Sequence, residues 1–104
     1  MDIELLVIPG CPGAEEASEL LRVALDDVGL ADATFTVGVI ETEDAARARG
    51  FGGSPAFVVD GADLFQTTGT QGSLACRVYQ TPDGLRNVPA LQDLLHALKQ
   101  RVAG

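Results

Sequence analysis

The feature that most constrains this chain is an apolar run that stops at a tight turn and resumes as a helix. Ile3-Glu4-Leu5-Leu6-Val7-Ile8 is almost wholly apolar, the pattern of a strand covered on both faces. Pro9-Gly10 ends it as a turn, and Cys11 follows at once. From Pro12 to Val28 the apolar residues Ala17, Leu20, Leu21, Ala24, Leu25 and Val28 recur at three- and four-residue spacing. That is an amphipathic helix, with Pro12 suited to its first position and Gly29 to its C-terminal cap. The junction sets the Cys11 thiol at the positive end of a helix dipole, beside free amide N–H groups, where thiolates are favoured. Glu15 and Glu16 in the same turn oppose a thiolate through like charge. Ala14 stands where a local C-x-x-C motif would carry its second cysteine.

The rest of the chain extends this beginning. Thr34 to Ile40 alternates, with Phe35, Val37 and Val39 on one face and Thr34 and Thr36 on the other, as a second strand does. Thr42 reads as an N-cap, Glu43 and Asp44 as a first turn, Arg47 and Arg49 as a last turn, and Gly50 as the end of a short helix. Ala56 to Val59 is a third strand, Asp60-Gly61 a hairpin turn, and Ala62 to Phe65 the returning fourth strand. After Pro89 the leucines 91, 94, 95 and 98 with Val102 mark a last amphipathic helix. The order is β-α-β-α-β-β-α: a single α/β domain over residues 1–104 with a central mixed four-stranded sheet. Gln66 to Val88, rich in Gly, Thr and Ser and containing the turn Pro82-Asp83-Gly84, is a long loop before the last helix. Connections of that length are often functional.

Composition excludes several classes of function. Seven basic against fifteen acidic residues give a net charge of −8, which argues against nucleic acid or an anionic membrane as partner. No stretch approaches the roughly 20 apolar residues of a membrane span. No basic, apolar leader is visible, so a cytoplasmic location is expected, and any disulfide there would be transient. Two cysteines and one histidine do not make a closed four-ligand zinc site. Gly50, Gly52 and Gly53 lack the G-x-x-x-x-G-K-[ST] pattern of a phosphate loop, and no cofactor is called for. Nothing in the sequence sets the oligomeric state.

With a cysteine opening the first helix and Ser54-Pro55 opening the third strand, the chain resembles the thioredoxin-like superfamily over nearly its whole length. In that family an active-site cysteine follows the first strand, and a cis-proline beside it begins the third. Cys11 matches the first motif cysteine and Pro55 the cis-proline, whereas Ala14 departs from the second cysteine. The runs Gly53-Ser54-Pro55-Ala56-Phe57-Val58-Val59-Asp60-Gly61 and Ala75-Cys76-Arg77-Val78-Tyr79 are similar to small bacterial thioredoxin-like proteins associated by name with alkylmercury lyases. Fold similarity does not by itself fix activity.

The resemblance orders the candidate residues. A cis Pro55 beside Cys11 would open the Ser54 backbone to an extended substrate segment; otherwise Ser54-Pro55 is a rigid strand entry. The third strand would then run away from the thiol and the fourth back towards it. The loop after Phe65 would emerge at the thiol end, carrying Cys76 as the candidate resolving cysteine. The alternative for Cys76 is a small buried hydrophobe. Arg77 is a candidate to stabilise a thiolate or hold a carboxylate, or a surface ion pair. Tyr79 is a donor at the site or the loop's anchor to the core. Phe51, Phe57 and Phe65 read as core, and His96 as a solvated residue of the last helix.

Three functions follow. In the first, Cys11 attacks a protein or small-molecule disulfide and Cys76 resolves the mixed disulfide, a thiol–disulfide oxidoreductase without C-x-x-C. In the second, Cys11 and Cys76 together bind a soft metal or organomercurial. In the third, the fold is a non-catalytic binding module.

Overall fold

A computed structural model describes residues 2–11, 13–30, 32–49, 51, 53–65 and 78–103. β1 (Ile3–Val7) leads into α1 (Ala14–Asp27), β2 (Thr36–Val39), α2 (Glu43–Arg49), β3 (Ala56–Val59), β4 (Ala62–Asp63), β5 (Tyr79–Thr81), β6 (Gly84–Arg86) and α3 (Leu91–Ala103). The first four strands form one mixed sheet in the order β2-β1-β3-β4. β1 and β2 run parallel, with Leu5 beside Val37 and Val7 beside Val39. β3 lies antiparallel on the other side of β1, pairing Leu5 with Phe57 and Leu6 with Ala56.

Apart from Glu4, which pairs with Arg49 at 2.7 Å, β1 is apolar because both of its faces are covered. Ile3, Leu5 and Val7 join Phe57 and Val59 of β3 in a core closed by Ala17, Leu21, Ala24 and Leu25 of α1 and Leu94 and Leu98 of α3. Leu6 on the opposite face packs with Ala56, Val58, Phe51, Ile40 and Ala46 of α2. The four buried α1 residues fall on one stripe of the helix, as the spacing requires.

The helix boundaries are set by local chemistry. At the end of α1 the Gly29 backbone takes φ +86, and the Leu30 N–H bonds the Leu25 carbonyl at 2.8 Å. That left-handed residue and long backbone bond terminate the helix. Arg22 then donates to the Ala33 and Leu30 carbonyls, fixing the passage into β2. Thr42 caps α2, its Oγ1 accepting the Ala45 N–H at 3.1 Å. Asp60 and Gly61 both have positive φ, 52 and 84, the twist that a two-residue hairpin between β3 and β4 demands.

The sequence reading differs from the structure at several points: α1 begins at Ala14 behind a Gly13 N-cap rather than at Pro12, and β2 covers only Thr36–Val39 of the expected Thr34 to Ile40. The returning strand is expected over Ala62 to Phe65, but β4 spans only Ala62 and Asp63; the Leu64 N–H still bonds the Phe57 carbonyl at 2.8 Å. The connection before α3 is expected to be a loop, yet β5 and β6 form a separate antiparallel hairpin within it. Thr81 closes its turn: its Oγ1 donates to the Gly84 carbonyl at 2.7 Å and accepts the Asp83 N–H at 3.2 Å. Strands of three residues are too short for alternation to reveal them.

Candidate functional site

Cys11 sits at the end of a tight turn whose chemistry the sequence specifies. The Cys11 N–H bonds the Ile8 carbonyl at 3.2 Å, Pro9 fills the position that wants its fixed φ, and Gly10 takes φ +73. Proline followed by a residue of positive φ defines a type II turn. The Cys11 carbonyl then accepts the Ala14 N–H at 3.3 Å, and Gly13 occupies the α1 N-cap with no side-chain cap of its own. The Cys11 side chain is half-buried, its inner side packed on the α1/α3 core, and its sulfur is free.

β3 braces this turn from below. The Ser54–Pro55 peptide bond is cis, and the Ser54 hydroxyl oxygen accepts the Ile8 N–H at 3.0 Å. Ser54 is 0% exposed and Pro55 is fully buried. An extended segment would therefore reach the Ser54 backbone only after displacing what now covers it, and the Ser54 hydroxyl is already engaged by the Cys11 turn. Tyr79 is buried at 6% exposure and donates its hydroxyl to the Pro55 carbonyl. Its ring meets Phe65 and Phe57 edge-on, at centroid distances of 5.3 and 6.3 Å. This is the geometry of an anchor, holding the start of β5 to the head of β3.

A third wall was not legible in the sequence. A Cβ placed on Gly13 would meet the Asn87 Cβ at 3.0 Å and Val88 at 3.6 Å. The segment after β6 therefore lies directly on the first turn of α1, and glycine at 13 is what admits it. Nothing about Asn87 in the sequence signals this, because the contact spans the length of the chain. The same approach brings Arg86 to 3.7 Å from Glu16, supplying a cation to the acidic first turn beside Cys11. Both partners are about half exposed, so the pair softens the local negative charge and adds little stability.

Of the other candidates, Cys76 and Arg77 lie outside the described residues. His96 is exposed and hydrogen-bonds Gln100 at 3.1 Å on α3. Phe51 and Phe57 are buried on opposite faces of the sheet, and Phe65 packs on the core that holds Phe57. Among the described residues no group of three or more His, Cys, Asp and Glu side chains could hold a metal ion. Nor is any helix among them long and apolar enough to cross a membrane. Comparison with known proteins finds no family model, no curated relative and no solved structure that matches the chain.

Proposed function

We propose that this chain is a thioredoxin-like thiol protein in which Cys11 is the nucleophile of thiol–disulfide exchange. The carrying observation is the placement of Cys11: a half-buried free thiol between a type II turn and the first turn of a 14-residue helix. Cys11 stands just before the first turn of that helix, the end that carries a partial positive charge. The mixed sheet with three helices and the cis Ser54–Pro55 bond opening β3 support the reading. In the exchange, the Cys11 thiolate attacks one sulfur of a disulfide, a mixed disulfide forms, and the other sulfur leaves as a thiolate. Cys76 is the proposed resolving thiol. Phe65, just before residues 66–77, and Tyr79, two residues after them, pack against each other beside Pro55, and Tyr79 follows Cys76 by three residues. Three residues of chain reach at most about 11 Å.

The test uses reduced protein and glutathione disulfide, with mass spectrometry after acid quench. Wild type should pass through a Cys11–glutathione adduct to an intramolecular disulfide. Cys76→Ser should stop at the adduct, and Cys11→Ser should form neither. Exchange at the wild-type rate in Cys11→Ser would overturn the assignment.

A further inference from the structure

We propose that the free edge of β2 pairs with β2 of a second copy of this chain, joining two sheets into one. This is independent of the chemistry of Cys11. β2 is an outer strand, and among the described residues only β1 pairs with it. The Ile40 N–H bonds the Val7 carbonyl at 2.7 Å, so even-numbered residues turn their backbone groups towards β1. Phe35, Val37 and Val39 therefore turn theirs towards the open edge. Val37 and Val39 are also 52% and 51% exposed, while half-buried Phe35 and Val23 of α1 line a shallow pocket with Ser18, Glu19 and Arg22.

Outer strands usually carry a device against such pairing: a charge, a proline, a bulge or extreme shortness. β4, the opposite edge, has two residues and a charged Asp63. Ala33 to Ile40 has neither charge nor proline, in a chain with 22 charged side chains. Its one glycine is explained inwardly, because a Cβ on Gly38 would meet Leu6 Cδ2 at 3.0 Å.

A second copy is the occupant that this edge itself fits. With Val37 on a two-fold axis, the antiparallel pairing sets Val37 against Val37, Phe35 against Val39 and Thr36 against Gly38. Every pair is uncharged, and the outward-facing backbone groups of 35, 37 and 39 meet their counterparts. Sliding by one pair of residues would put Phe35 against Glu41. A net charge of −8 per copy repels a second copy elsewhere, so the uncharged edge is where approach is least opposed. Five paired residues, 35 to 39, extend about 17 Å, which buries well under the roughly 800 Å² per partner of a standard stable interface. The dimer is accordingly weak.

Sedimentation velocity of the full chain in reductant, from about 5 µM to about 1 mM, tests the proposal. The wild type should show a monomer–dimer equilibrium that strengthens between about 20 and 500 mM NaCl as repulsion is screened. Val37→Lys, which sets two ammonium groups opposite each other, and Val39→Lys should each weaken it at least about tenfold. Leu85→Lys, at an exposed site on β6, should leave it unchanged. A wild type that stays monomeric at about 1 mM in high salt would overturn the proposal. So would a dimer indifferent to both β2 lysines.

Discussion

Tyr79 shows how one side chain can decide the shape of a site that it does not enter. Its hydroxyl satisfies the Pro55 carbonyl while its ring fills the space between Phe57 and Phe65. Tyr79→Phe keeps the ring and strips the carbonyl of its partner. The expected loss is about 1 kcal/mol in a urea titration, with the slope unchanged. Ser54→Ala should cost a similar amount, about 1 kcal/mol by the same measurement, because the Ile8 N–H at the base of the Cys11 turn loses its acceptor in a part-buried place. At this scale the sequence was informative wherever the cause is local. Pro9, Gly10 and Cys11 announce a turn and a thiol because their own φ preferences build it. Asn87 announces nothing, because its importance comes from Gly13, more than seventy residues earlier.

Among the elements, the balance between intrinsic pattern and tertiary packing differs from one to the next. α1 and α3 carry their buried stripes openly in the sequence, since Leu21, Leu25, Leu94 and Leu98 recur at helical spacing and all are 0% exposed. Leu21→Ala should therefore cost about 2–5 kcal/mol through lost burial and an unfilled cavity. Val37→Ala, on the exposed edge of β2, should fall within about 0.5 kcal/mol of wild type. Denaturant titration of the two variants side by side at low protein concentration checks the contrast. β2 shows why an alternating pattern is an incomplete guide. Phe35, Val37 and Val39 share a face as the alternation says, but a four-residue outer strand leaves the last two half uncovered. β5 and β6 escape the sequence for the opposite reason. Their pairing rests on the Thr81 hydroxyl and on a Gly84 backbone at φ +103, not on any run of apolar residues.

Over the whole molecule, the proposed pairing of Cys11 with Cys76 makes a demand on stability as well as on chemistry. The bond would close a loop of about 65 residues (76 minus 11). Restricting the unfolded chain by a loop of that size is worth about 4 kcal/mol in the chain-entropy account, less any strain in the folded state. The oxidised protein should therefore unfold at higher temperature than the reduced one, by about 4–8 °C for each kcal/mol retained. Scanning calorimetry of both forms, at a concentration low enough to hold β2 edges apart, measures the difference. Cys11→Ser and Cys76→Ser should each abolish it, because neither can close the loop. A catalytic disulfide is expected to retain only part of the ideal gain, since strain makes a bond easier to reduce. A shift of several degrees that both serine variants remove would join the two sulfurs across the fold. Identical transitions for a fully oxidised and a reduced sample would leave Cys11 dependent on a thiol from solution.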